Sequence, residues 1–280
     1  MALTERYSSD NGVVHWGKFG SGQAIVFNHG TPFSSFVWRD IAETFATKYT
    51  VYLWDMPGYG SSDKYEGQEV SLGAQGKLFA ELLHFWFGSD ENKNAKAPIV
   101  VAHDFGGAVA LRAHLLHGAK YQALALVDPV AGPPLGSPFF HLVHDNPQVF
   151  AQLPAGIHRA LVYEYISSAS FQKLHPAALE ALAGPWLTEN GQPAFYRQIA
   201  QHELRFTAEL EDKFVRLGDI PVLLCWGTDD AWIPLENGRR LASKIPGVRF
   251  QEIQGAGHLV HFDKPVQLTF HLNQFLESLV

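Results

Sequence analysis

The chain is 280 residues long, 46% apolar and 18% charged, with a net charge of −7. That length and apolar content suit one large α/β domain with an insertion, and the acidic balance with no basic run argues against nucleic acid or an anionic membrane surface as partner. No apolar run is long enough to span a bilayer, and residues 1–10 carry Glu5, Arg6 and Asp10 with no apolar h-region, so a cytoplasmic protein without a secretory signal is expected.

In chain order, Ala24–Asn28 and Thr50–Trp54 are short β-rich runs that end in turn residues, and residues 36–48 between them have helical spacing of apolar side chains. Leu72–Phe87 is a second amphipathic stretch, closed by Gly88. Strand runs at 99–102 and 124–127 flank a helical segment. Strands separated by helices of this length predict a parallel sheet with helices on both faces. The alternation breaks at Ala131-Gly132-Pro133-Pro134, and the sequence stays helical and aromatic-rich to about Lys213. It resumes with strands at 221–226 and 248–253 and helices at 235–245 and 266–279. The expected organisation is one core domain, 1–132 and 213–280, with a helical cap at 133–212 inserted into it. Such an insertion would cover the carboxyl ends of the strands, where ligands bind in open α/β sheets.

The single cysteine, Cys225, lies in an apolar strand run and reads as core. Three pairs have H-x-x-H spacing, His114/His117, His141/His144 and His258/His261. With no H-E-x-x-H and no acidic cluster beside them, they read as packed or surface histidines, and no metal or cofactor is expected.

The chemistry concentrates at Ala102-His103-Asp104-Phe105-Gly106, a small-x-Asp-x-Gly turn between a buried strand and a helix. It is a variant of the G-x-S-x-G turn that presents a nucleophilic serine, and no G-x-S-x-G occurs in the chain. A carboxylate attacking acyl carbon gives a mixed anhydride and expels a poor leaving group. Attack at saturated carbon gives an ordinary ester that water can cleave. Asp104 therefore points to breaking a bond from sp3 carbon to halogen or to an epoxide oxygen. At neutral pH a surface aspartate is ionised and needs no base to attack.

Several further motifs stand in a consistent order. They are His29-Gly30-Thr31-Pro32, Asp55-Met56-Pro57-Gly58-Tyr59-Gly60-Ser61-Ser62, the turn at Asp104, Gly227-Thr228-Asp229-Asp230-Ala231-Trp232-Ile233-Pro234, and Gly255-Ala256-Gly257-His258. Together they resemble the α/β-hydrolase family, aspartate-nucleophile branch, over nearly the whole chain from Val14 to Leu279. The resemblance implies the nucleophile–acid–histidine order Asp104, Asp230, His258, with the acid-loop motif selecting Asp230 over Asp229 as a turn residue. Neutral His258 would take a proton from the water that cleaves the ester, and Asp230 would orient the ring. The backbone N–H groups of Thr31 and Phe105 would hold the oxyanion. His29, His103, Asp55 and Ser61 read as loop-fixing residues.

Two families use an aspartate at this turn. Residues 29–41 resemble haloalkane dehalogenases, which hold halide with side-chain N–H donors. Those positions are Phe105, which has no donor, and Thr31, which has only a hydroxyl; Trp186 could supply one indole. Phe105 also departs from the arginine that haloacid enzymes carry. Residues 191–197 resemble a tyrosine motif of epoxide hydrolases, which marks Tyr196 as an acid for the opening ring, with Tyr163 or Tyr165 as its companion. Epoxide hydrolysis to a diol is the first reading, haloalkane dehalogenation the alternative, and a non-catalytic binding protein on a hydrolase fold the third. The implied partners are a small hydrophobic organic substrate and water, and nothing in the sequence specifies an oligomeric state.

Overall fold

In the computed structural model, which describes residues 1–88, 96–133 and 136–279, the strands are β1 (Glu5–Ser9), β2 (Gly12–Gly20), β3 (Ala24–Asn28), β4 (Thr50–Trp54), β5 (Ile99–His103), β6 (Ala123–Val127), β7 (Val222–Gly227) and β8 (Arg249–Ile253). They form one sheet in the order β1-β2-β4-β3-β5-β6-β7-β8. Only the β1–β2 and β2–β4 pairings are antiparallel. Strands β4, β5, β6 and β7 are buried along their whole length. Helices cover both faces there, which is why the strands read as continuous apolar runs.

Sequence reasoning does not anticipate the hairpin of β1 and β2. Its residues alternate weakly in burial and include Glu5, Arg6 and Lys18, the composition of a protected sheet edge. Asp10 and Asn11 make the turn between them, and Gly12, at φ +98, closes it into β2. The helix expected over 36–48 is instead a 3-10 turn, Ser35–Trp38, followed by the short α1, Arg39–Phe45. The Trp38 indole donates to Asn28 O at 2.8 Å and ties this turn to the end of β3. Helix α2 (Leu72–Phe87) starts on a Ser71 side-chain cap and stops at Gly88. It packs on α3 (Phe105–His117), the helix that follows β5.

Between β6 and β7 lie α4 (Pro138–Asp145), α5 (Pro147–Ala151), α6 (Ala155–Ser167), α7 (Pro176–Ala183), α8 (Gly191–Ala200) and α9 (Arg205–Ala208). Pro134, in the break expected at 131–134, and Val280 lie outside the described residues. After β7 come α10 (Leu235–Lys244), α11 (Val260–Asp263) and α12 (Pro265–Glu277). Helix α10 packs on β7, and α12 packs on β7 and β8. Among the described residues no helix is long and apolar enough to cross a membrane.

Candidate active site

Asp104 is the residue between β5 and α3, with φ 51 and ψ −123. A non-glycine residue in this region is strained, by about 1–3 kcal/mol, and persists only where its surroundings fix it. Here the Asp104 carbonyl accepts from Gly107 N at 2.9 Å and Val130 N at 3.1 Å. Its side chain is pressed so closely on the loop after β3 that a Cβ at Gly30 would stand 2.5 Å from Asp104 Cβ. Carboxylate Oδ2 accepts from Thr31 N at 2.7 Å. Contrary to the surface placement expected from sequence, Asp104 is buried. Burial opposes its charge, but the neighbouring His258 and the Phe105 N–H outweigh that and hold the carboxyl below its ordinary value.

His258 is fully buried, with Nε2 3.4 Å from Asp104 Oδ1 and Nδ1 2.8 Å from Asp230 Oδ2. Nε2 makes no hydrogen bond among the described residues. The other Asp230 oxygen accepts from Trp232 N and Ile233 N at 2.8 and 2.9 Å. Burial works against protonation of His258, yet the flanking Asp230 and Asp104 carboxylates raise it well above the ordinary histidine value. Thus Asp104, His258 and Asp230 meet in space from three loops at the carboxyl ends of β5, β8 and β7.

The cleft above Asp104 has a volume of about 640 Å³ including its open mouth. Its walls are mainly apolar and aromatic, with Phe105, Phe140, Tyr165 and Trp232 among them, and Asp104, Thr31 and His202 also line it. Among the described residues no group of three His, Cys, Asp or Glu is placed to hold a metal ion.

The model for the alpha/beta hydrolase family matches residues 25–271. This chain belongs to the α/β-hydrolase family. It is a hydrolase. An alpha/beta hydrolase fold protein from Burkholderia ambifaria has a solved structure that is similar with a TM-score of 0.92 and 43% identity over 98% of each chain. The uncharacterised hydrolase YugF of Bacillus subtilis is 24% identical over 91% of this chain and 90% of its own. The epoxide hydrolase CorEH shares the fold at 18% identity, with a TM-score of 0.79 and 99% of each chain covered. Other relatives carry esterase and carbon-chain hydrolase names, and haloalkane dehalogenases share the fold, so the family alone does not select a substrate.

The hydrolase places the four aromatic candidates very differently. Tyr165 lines the cleft, stacked on Trp232 with ring centroids 4.4 Å apart. Its hydroxyl makes no hydrogen bond among the described residues. Burial and the charge of Asp104 raise its pKa. Tyr196 does not present a free hydroxyl to Asp104. Its OH lies 2.7 Å from His158 Nδ1, and His158 Nε2 lies 3.0 Å from Trp186 O. A carbonyl only accepts, so Nε2 carries the proton and Nδ1 takes the proton of Tyr196. Tyr163 points away, to Glu180 and Arg159. Trp186 is buried, and its indole N–H is spent on Pro32 O at 2.5 Å.

The loop-fixing residues behave as expected: Asp55 accepts from Ser35 N and Ser61 N, His29 Nε2 accepts from Met56 N, and His103 Nε2 meets His258 O at 2.9 Å. Sequence reasoning missed three groups. Gln198 Oε1 accepts from the hydroxyls of Thr31, at 2.5 Å, and Tyr59, at 3.1 Å. His202 lies on the cleft wall against Phe105, with ring centroids 4.8 Å apart. Asp128 follows β6 at φ 41, fully buried, with Gly227 N on Oδ1 at 2.8 Å and, among the described residues, no partner for Oδ2. None has a motif around it; only the fold brings them in.

Proposed function

We propose that this hydrolase acts at saturated carbon through an Asp104 ester, opening an epoxide to a diol. The observation that carries the reading is the setting of Asp104. It is a carboxylate where the fold presents a nucleophile, with Oδ2 on the Thr31 N–H and Oδ1 facing His258. In this reading residues 133–212 form the cap that closes the site. Asp104 Oδ1 bonds to ring carbon, and the C–O bond breaks with its electron pair on oxygen. Tyr165 gives that oxygen its proton. Esterification removes one of the two carboxylates that hold the proton on His258, whose proton then restores Tyr165 through solvent. Neutral His258 takes a proton from water, and the hydroxide attacks the ester carbonyl carbon. The oxyanion rests on the Thr31 and Phe105 N–H groups. Collapse breaks the acyl C–O bond, His258 gives its proton to the departing diol oxygen, and the proton left on the regenerated Asp104 carboxyl passes to His258, restoring the carboxylate beside a protonated histidine.

Oxygen ranks above halide because the indoles around the cleft are committed. Trp186 donates to Pro32 O, Trp232 to Ser168 Oγ, and Trp226 to Ile233 O, while Phe105 has no donor. Single turnover in oxygen-18 water tests the ester, since attack at the carbonyl leaves label in the peptide containing Asp104. His258→Gln should accumulate an adduct of substrate mass. Label confined to product, with no adduct, would count against an ester. Diol and halide are assayed separately on epoxides and haloalkanes; halide release without diol reverses the ranking.

A further inference from the structure

His258 stands beside two carboxylates in the resting site but beside only one after Asp104 has become an ester, so the hydrolytic half of the reaction has less to stabilise the imidazolium. We propose that Trp232 makes up part of that loss: as a positioning residue, it lays its indole face on the His258 ring and holds the charge that forms there when water gives up its proton. This rests on the ester reading above. The Trp232 and His258 rings are stacked, with centroids 5.1 Å apart and an interplanar angle of 29°. A cation within about 6 Å of the centroid of an aromatic face is attracted by the ring quadrupole, and tryptophan attracts it best. The indole is well fixed for this. Its backbone N donates to Asp230 Oδ1 at 2.8 Å, and its Nε1 to Ser168 Oγ at 3.0 Å. Phe33 and Tyr165 also stack on it, with centroids 5.9 and 4.4 Å away.

The other groups around His258 offer little in place of the lost carboxylate. Asp104 and Asp230 touch it directly. The His103 ring lies 4.7 Å away, and burial keeps both His103 and His261 neutral. Burial also keeps Asp128 protonated. Asp263 spends its carboxylate on Ser170, Phe171, Gln172 and Gly257. With Asp104 esterified, Asp230 and the Trp232 face remain. The face attracts the imidazolium and has no comparable hold on the neutral ring. It therefore favours the transition state of ester hydrolysis, in which charge develops on His258, over the ester that precedes it. Trp232 forms no bond and transfers no proton, so the atom and charge balance of the step is unchanged.

The test follows decay of the ester in single turnovers, with excess enzyme and styrene oxide, across a range of about pH 5 to 9. It compares wild type, Trp232→Phe, Trp232→Leu and Ser168→Ala. Hydrolysis requires neutral His258, so its rate rises with pH to a plateau. Trp232→Leu should move the midpoint of that rise down by about 0.5 unit or more and lower the plateau by about two- to fivefold. Trp232→Phe keeps a weaker aromatic face and should fall between. Ser168→Ala removes the Nε1 partner but not the indole, and should keep the wild-type midpoint; a shift as large as that of Trp232→Leu would assign the effect to the tether and overturn the proposal. An unmoved midpoint in folded Trp232→Leu overturns the role of Trp232 and leaves the ester reading standing. Neither adduct nor glycol from wild type overturns the ester reading, and the step assigned here with it. A second measurement needs no substrate. Asp104→Asn removes the same charge as the ester, and nitrogen-15 histidine spectra titrated with pH give the His258 midpoint directly. That midpoint should be lower when Trp232→Leu is added to Asp104→Asn, by the same margin as in the kinetics; equal midpoints overturn the proposal.

Discussion

A hydroxyl is useful to a substrate only if nothing else already holds it, and that separates Tyr165 from Tyr196. Both are tyrosines of the helical segment. Sequence favours Tyr196 because its neighbours form a motif, but a motif specifies residue type and not the direction of the O–H. The structure spends the Tyr196 proton on His158 and leaves Tyr165 in the cleft. Tyr196→Phe should therefore keep epoxide turnover within a few-fold. It should lower stability by about 1–3 kcal/mol, the cost of an orphaned buried acceptor on His158. Tyr165→Phe should do the reverse, slowing ring opening by about 10²-fold or more for a lost general acid while the melting temperature holds. Steady-state rates and thermal melts of the two variants check this; a large rate loss in Tyr196→Phe alone would return the acid role to that residue.

At the scale of elements, the buried strands and the turns after β5, β7 and β8 were legible because each strand is covered on both faces and each turn has a sequence motif. The β1–β2 hairpin was not, because edge strands carry mixed polarity. Nor was Asp128, whose importance comes from where β6 ends. Burial, with the charge of Asp230 adding to it, raises the Asp128 carboxyl well above its ordinary value of 3.8. A carboxyl raised in the folded state stays protonated there while the unfolded chain ionises. Its contribution to stability is thus present below about pH 4 and is lost as pH rises through the folded value. Asp128→Asn imitates the protonated carboxyl, keeps an acceptor for Gly227 N, and suits a residue at positive φ. The variant should melt higher than wild type at neutral pH, and the gap should shrink toward zero as pH falls to 4. Melting curves across that range decide it; a variant less stable than wild type at pH 7 would mean that Asp128 is ionised in the folded protein.

Across the whole molecule, the segment between β6 and β7 is joined to the rest at the loops beside Asp104 and His258. Gln198 of α8 holds the Thr31 and Tyr59 hydroxyls, and Trp186 holds Pro32 O. Asp263 accepts from Ser170 Oγ and from the backbone of Phe171 and Gln172, and also from Gly257 N beside His258. Since Thr31 N donates to the Asp104 carboxylate, Gln198→Leu should loosen it and reduce turnover by about tenfold or more, because small misplacements in a reacting constellation are expensive. Far-ultraviolet spectra should stay unchanged. An unchanged rate would show that Thr31 is held by its own loop. These joints could not be read from sequence, since they pair residues up to 167 positions apart. They also mean that the roof and the catalytic loops are one mechanical unit. Swinging the roof open to admit a large molecule would pull Thr31, Pro32 and the His258 loop out of register. Substrates must pass through the fixed mouth instead, so the enzyme should behave as a sieve, with reactivity falling abruptly with molecular girth and not tapering with it.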